Sequence, residues 1–438
     1  LIKKAVQTPN GTVAAHDTLT SVTVAPDGLH VYALGAHAGA RIIVVFARDP
    51  LNGALTQQQV VTSGSGSANI GSPGGGFERL AVSPDGKTLV VTGDDYGLGG
   101  TASLGIDAAG ALSVQSLFDH PYGQTTQIAF SGDGRNVYVA NYGNGLIETF
   151  GRNTATGALF QEGNLQVDAQ GPLSGVAVSP DGLEVYSVTG SDIASDPNAN
   201  SLSVFSRNTA TGSLTLINTM PGVGGDLVTL SPDGKTVYSS NKNRGYGSST
   251  VTVFNRDTST GALTVTQTLT NVQAGNNAEF SHIDDLIVSP DGQTVYVGSN
   301  GYDAVAFQRD TSSGLLTHVA GQDQFGGGFG LAASPDGTSL YTVNVRDNTI
   351  TTYSTKNSLP APATPAAPSI LQENQAGYAN TGALTIFGAA EHGATVTVYD
   401  GTLSLGTATA DSATGVYNLT LNHALADGPH SINVTASN

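Results

Sequence analysis

The chain contains no cysteine and no tryptophan, one methionine, and only 16 lysines and arginines among 438 residues. Without cysteine, neither a disulfide nor a thiolate metal site can form. The 16 basic residues stand against 34 acidic ones, a formal net charge of -18 at pH 7. Such a surface lacks the basic patch that nucleic acid or an anionic membrane requires. No run of about 18 apolar residues occurs, so no membrane-inserted helix is expected. Nor does the chain open on a signal peptide. Leu1 falls inside what the repeat below makes a strand, and a fragment of a larger chain is the expectation.

What is plentiful is glycine, 57 residues of it, much of it at regular intervals. "LSPDGKTVYSSN" from Leu230 returns almost unchanged as "VSPDGQTVYVGSN" from Val288. Pro presets a type I turn, Asp bonds its own backbone, and Gly takes the positive dihedral that closes the loop. Short β-branched and aromatic runs flank the turn, so each copy is a β-hairpin. The turn occurs seven times, at Ala25, Ser83, Ser131, Ser179, Ser231, Ser289 and Ser334, and from Asp27 to Asp336 its mean period is 51.5 residues.

A second signature follows each of the first six turns: "RDPLNGAL" from Arg48, "GIDAAGAL" from Gly105, "RNTATGAL" from Arg152, "RNTATGSL" from Arg207, "RDTSTGAL" from Arg256 and "RDTSSGLL" from Arg309. Each period thus holds two hairpins, or four strands. Four-stranded units repeated at about 50 residues are the period of propeller blades, which must stack around an axis to bury their faces. Seven copies predict seven blades. The seventh has no "TGAL" strand after Ser358, and "LIKKAVQT", Leu1 to Thr8, stands at the spacing of a missing fourth strand. The N-terminal strand is therefore expected to close the last blade and remove an open sheet edge.

The pattern of "SPDG", "VYV" and "RD..TGAL" resembles the seven-bladed propeller superfamily that includes the lactonase family and the YVTN-type surface-protein propellers. The resemblance covers residues 1–358 and implies fold more than activity, since one fold hosts many functions. "LPAPATPAAP", residues 359–368, has the composition of a semi-rigid extended spacer. Residues 369–438 show short alternating strands at Val396, Val398, Val416, Leu419, Leu421, Ile432 and Val434, separated by "DG", "ATG" and "ADG" turns. They resemble the bacterial Ig-like β-sandwich modules of secreted adhesins, usually stalk elements.

Within a propeller the "SPDG" and "TGAL" turns share one face. The longer, variable connections share the other, where a rigid scaffold carries its function. Aligning the repeats at the entry to the innermost strands puts Thr20, Glu78, Thr126, Ser174, Asp226, Asp284 and Phe329 at one position. Ser21, Arg79, Gln127, Gly175, Leu227, Asp285 and Gly330 occupy the next. Only blades two, five and six place charge there. The candidate ligand-binding residues are accordingly Glu78, Arg79, Tyr142, Asp226, Asn241, Lys242, Tyr246, His282, Asp284 and Asp285. The bland counterpart is an ion pair and solvated acids around a water-filled channel. No cofactor is required by any motif; Asp94, Asp95, Asp192 and Asp196 are candidate Ca²⁺ ligands on the same loops. The glycine-rich stretches "GSPGGGF" and "QFGGGFG" lack the helix and Lys-Ser/Thr of a phosphate cradle. Most arginines fall in the repeat's turns, and Arg41 is assigned to an outer strand.

The reading that follows is an extracellular or cell-surface bacterial protein that recognises a glycan or a surface protein, with a propeller head on an Ig-like stalk. The alternative is a lactonase-like hydrolase of a sugar lactone, and a third reading is a structural module of a surface layer. The scarcity of loop arginines and lysines speaks against a phosphorylated or polycarboxylated substrate.

Overall fold

The computed structural model describes residues 2–7, 18–37, 40–63, 79–93, 99–120, 125–167, 172–190, 200–242, 249–270, 283–299, 304–319, 329–345, 347–355, 369–370, 385–390, 394–411, 416–421, 425 and 430–437. Among them there is no helix, and hence none long and apolar enough to cross a membrane. The chain divides into two units, Leu1–Lys356 and Asn357–Asn438.

The first unit is a seven-bladed β-propeller of four-stranded antiparallel sheets. Blade one runs through Thr18–Val24, His30–His37, Ala40–Arg48 and Leu55–Thr62. The later blades begin at Arg79–Val82, Thr125–Phe130, Leu173–Val178, Leu227–Leu230, Ile283–Val288 and Gly330–Ala333. Each of these first strands packs against the first strands on either side, and the seventh packs against the first, so the ring is closed around its axis. In blade seven the order is Gly330–Ala333, Ser339–Asn344, Thr349–Ser354 and then Ile2–Gln7, with Ile2 opposite Ser354 and Gln7 opposite Ile350. The N-terminal strand therefore supplies the missing edge.

The repeat's aromatics are core. Phe46, Phe150, Phe205, Phe254 and Phe307 are each at most 2% exposed, and full burial of such a side chain stabilises by about 1.5–3 kcal/mol. Clusters run across blade boundaries: Val251 and Val253 of blade five pack with Leu286 and Val295 of blade six. Each blade's hydrophobic face is covered by its neighbour, which is why one repeat cannot stand alone.

The turns behave as their composition predicts, and they do more. In blade five the Lys235 amide donates to Asp233 Oδ1 at 3.1 Å, the Ser231 hydroxyl donates to the same atom at 2.5 Å, and Gly234 takes φ 66°. The "RD..TGAL" arginines prove to be the last residues of third strands, buried between blades. Arg309 of blade six donates from Nε to the Tyr238 hydroxyl at 2.9 Å, from Nη1 to its own turn's Gly292 carbonyl at 3.0 Å, and from Nη2 to both oxygens of Asp233. Arg48 and Arg207 likewise reach both oxygens of Asp336 and Asp133, while Arg256 divides its Nη2 between one oxygen of Asp181 and the carboxylate of Glu184. Arg152 reaches Asp85, with Thr88 in place of the tyrosine because blade two carries Val90 there. Such forked, charge-assisted bonds are directional as well as strong. Burial opposes ionisation of Asp85, Asp133, Asp181, Asp233 and Asp336. The serine hydroxyl, the turn amide and the arginine together nevertheless hold each carboxyl below its usual range. Arg41 departs from expectation: it is 2% exposed in the third strand of blade one, its guanidinium packed against Gly93 of blade two. An inward-facing position in an interior strand, rather than an outer one, accounts for the difference.

In the second unit Ser369–Ile370, Thr385–Ala389 and Val416–Thr420 form one three-stranded sheet, and Leu403–Thr409, Thr395–Asp400 and Ile432–Ser437 another. Ile386, Val396, Val398, Ala410, Tyr417 and Leu421 make one buried cluster. The spacer expected at 359–368 lies outside the described residues.

Candidate functional site

Two ends of the propeller differ in kind. One carries the seven uniform turns and their arginine clamps. The other carries the entries to the innermost strands, where the repeat pattern breaks and charge appears. Here Arg79, at the start of its strand in blade two, crosses the axis and donates from Nη2 to the backbone carbonyl of Asp284 in blade six, 2.6 Å away. Lys242 follows the second strand of blade five, Thr236–Asn241, and its ammonium pairs with Asp284 Oδ1. Its backbone amide donates to Asp226 Oδ2 at 2.7 Å. Arg79, Thr126, Tyr142, Ser174, Asp226 and Lys242 wall a small axial cavity of about 20 Å³, room for a single water.

The polar groups here are not all satisfied from within the chain. Asp284 Oδ2 and Ser174 Oγ are buried without a hydrogen-bond partner among the described residues. Buried polar atoms of this kind call for a solvent, ligand or catalytic explanation. Gly190 keeps the wall open. A β-carbon there would lie 3.1 Å from Ser174 Oγ, 3.3 Å from Asp226 Oδ1 and 3.0 Å from the Gly225 carbonyl.

Of the residues singled out in sequence, Arg79, Tyr142, Asp226, Lys242 and Asp284 are brought together at the axis. Asn241 ends its strand opposite Thr250 and does not wall the cavity. Asp285 has a different role from the one expected. Its Oδ1 accepts the Leu286 amide at 2.9 Å and its Oδ2 accepts the Leu331 amide of blade seven at 2.7 Å, so both oxygens are engaged by backbone. Burial pushes its carboxyl up, with Arg79 and the two amides pulling the other way. Gln127 ties blades three and four in the same manner, its Oε1 accepting the Val176 amide at 3.1 Å. Glu78, Tyr246, His282, Asp94, Asp95, Asp192 and Asp196 lie outside the described residues. Among the described residues no group of three or more His, Asp and Glu side chains is placed to hold a metal ion.

Sequence reasoning passed over two neighbours. Ser174 stood in the aligned position but carries no charge, and Gly190 has no side chain to notice. A third omission is Glu148 of blade three, 2% exposed, whose Oε1 accepts Asn141 Nδ2 at 2.7 Å. Burial pushes its carboxyl up to about 7, against the pull of the Asn141 amide.

The family model described as "Lactonase, 7-bladed beta-propeller" matches residues 159–280 and 247–360. No curated protein matches the chain. Among solved structures, a candidate 6-phosphogluconolactonase of Bacteroides uniformis is 17% identical, with TM-score 0.56 over 70% of this chain and 86% of that one. The periplasmic gluconolactonase of Pseudomonas aeruginosa is 19% identical, with TM-score 0.55 over 70% and 86%. A protein of Lactobacillus plantarum is 19% identical, with TM-score 0.57 over 73% and 89%. At these identities the likeness is one of fold.

Proposed function

We propose that the propeller is a lactonase-like hydrolase that opens a neutral sugar lactone at the axial mouth. The observation that carries the reading is the convergence of one carboxylate, Asp226, and two cations, Arg79 and Lys242, on a cavity with room for one water. The lactonase family match and the gluconolactonase among the similar folds favour hydrolysis over adhesion. No finding speaks for adhesion.

In this scheme a water between Ser174 and Asp226 attacks the lactone carbonyl carbon while Asp226 takes its proton. Negative charge builds on the carbonyl oxygen, and Arg79 and Lys242 stabilise it in a site largely withdrawn from solvent. Collapse of the adduct breaks the ring C–O bond. The ring oxygen leaves as a hydroxyl, taking the proton from Asp226, and the product is a hydroxy acid. Asp284 holds the Lys242 ammonium in place through their ion pair.

Substrate class follows from charge. Both mouth cations already answer to Asp284, one through its carbonyl and one through its carboxylate. Shared with Asp284, they can answer the single charge that develops on a carbonyl oxygen, whereas a phosphate dianion takes several committed basic groups, and among the described residues the cavity wall holds only these two. A neutral aldonolactone fits better than a phosphorylated one. The C-terminal unit is read as an Ig-like spacer without a part in the chemistry.

The test is a pH-stat assay of aldonolactone opening against the buffer rate, run with a neutral and a phosphorylated lactone. Acceleration of the neutral lactone, lost in Asp226→Asn, is expected. A rate equal to buffer for both lactones would overturn the proposal, and glycan-array binding by the same protein would return the adhesin reading in its place.

A further inference from the structure

Five of the seven seams between blades are closed by an arginine. The seam between blades six and seven keeps the acceptors and lacks the arginine. Thr355 stands in its place: its amide donates to the Thr338 carbonyl at 3.1 Å, as the Arg309 amide does to Gln293 at 2.7 Å. Its hydroxyl donates to the Gly337 carbonyl, the atom that corresponds to the target of Nη1 in the filled seams. The side chain ends there, and beyond it opens a cavity of about 350 Å³ lined by Asp291, Thr294, Tyr296, Gly337 and Thr355, within the size range of small-ligand sites.

The rest of the receptor set is intact. Asp291, Thr294 and Tyr296 correspond one for one to Asp233, Thr236 and Tyr238, which bind Arg309 at 2.9 to 3.1 Å. Asp291 Oδ1 is ordered by the Ser289 hydroxyl at 2.5 Å and the Gln293 amide at 3.0 Å. Among the described residues no cation reaches this carboxylate. The neighbouring Asp336 is already bonded to Arg48 through both oxygens. Glycine geometry gives a separate measure of the gap. A β-carbon at Gly337 would meet nothing within 4 Å, whereas at Gly134, Gly234 and Gly292 the same point lies 3.3 to 3.4 Å from an arginine Nη1. The other arginine-free seam, between blades one and two, is different. There Ile106 replaces the arginine, but Asp27 accepts His30 Nδ1 at 2.9 Å, so the chain supplies its own partner.

We propose that the seam between blades six and seven is a binding site for a guanidinium group contributed from outside the chain. Two N–H groups would face Asp291, and others would face Tyr296 Oη and Thr294 Oγ1, the bonding pattern that Arg309 makes one seam earlier. An ammonium ion has neither the plane nor the fork to meet these acceptors together. The site is remote from the axial mouth and independent of the hydrolysis proposed there.

Thermal unfolding and calorimetric titration of the full chain with N-methylguanidinium, N-acetyl-arginine amide and methylammonium test the proposal. Methylguanidinium at about 10 mM should raise the melting temperature through preferential binding to the folded state, with methylammonium ineffective. The effect should vanish in Asp291→Asn. It should vanish also in Thr355→Arg, which fills the seam and melts higher without any ligand, so a poorly folding Asp291 variant would not leave the matter open. Binding of the arginine amide as well identifies a side chain as the natural form of the ligand, and binding of methylguanidinium alone identifies a free guanidino compound. An equal response in wild type and both variants, or none in wild type, overturns the assignment.

Discussion

Arg309 and Asp233, in adjacent blades, meet through both carboxylate oxygens at 3.0 and 3.1 Å, and the arginine side chain is only 1% exposed. The turn aspartate is therefore the acceptor of the next blade as well as a local turn residue. A turn bond alone is worth about 0.5–1.5 kcal/mol. Removing one partner of a buried pair costs about 3–5 kcal/mol, and the partial exposure of Asp233 reduces this. Asp233→Ala should thus lower stability by about 3 kcal/mol in urea unfolding and leave lactone turnover per folded molecule unchanged. A loss below about 1 kcal/mol would mean that the clamp adds nothing to the turn.

The ring has opposite acid and neutral limbs. Folded-state carboxyl values of Asp85, Asp133, Asp181, Asp233 and Asp336 lie below the ordinary 3.8. Their contribution is present above that value and is lost as pH falls through the depressed ones. Glu148 has the reverse sign. Its folded value is raised from 4.5 to about 7, so stability declines as pH rises across that interval and the penalty is complete above it. Glu148→Gln should flatten the decline and raise the melting temperature at about pH 8 relative to about pH 5, by an effect on the order of 3 kcal/mol. An unchanged slope between these pH values would show that Glu148 does not titrate in this range.

Blade seven depends on residues far away in sequence. Ile2–Gln7 forms its outer ladder with Thr349–Ser354. Deleting residues 1–7 should expose the third strand of blade seven as an open edge, lower stability by several kcal/mol, and promote association. Differential scanning calorimetry with light scattering reads both effects. A truncated protein that melts unchanged as a monomer would refute the importance of closure.

The scaffold was legible because its information is local and repeated. Asp, Gly and Pro encode a turn wherever they stand together, and the phenylalanine two residues before each arginine, as at Phe307 and Arg309, marks an inward strand position. The N-terminal closure followed from counting strands. What stayed hidden were relationships between blades. Nothing in "RDTSSGLL" says that Arg309 turns toward the preceding blade instead of solvent, and the vacant counterpart at Thr355 gains meaning only beside the filled seams. At the mouth the charge pattern identified Arg79, Asp226, Lys242 and Asp284. It could not separate Asp226, which walls the cavity, from Asp285, whose oxygens are both bonded to backbone amides, because the two acids stand in adjacent columns of the aligned repeat and the sequence does not say which column faces the cavity.

That last distinction makes the sharpest test of the proposed chemistry. Asp226→Asn keeps an acceptor for the Lys242 amide but removes the base, so turnover should fall by about 10² to 10⁴ with little change in melting temperature. Asp285→Asn should do the opposite. Asparagine offers one oxygen and one NH₂ where two backbone N–H groups, of Leu286 and Leu331, need acceptors, so a buried donor is left facing a donor at about 1–3 kcal/mol. Its melting temperature should drop while the folded fraction retains its rate. Steady-state kinetics normalised to folded protein, paired with thermal unfolding of both variants, separates the two. If Asp285→Asn abolishes turnover and Asp226→Asn does not, the catalytic base has been assigned to the wrong blade.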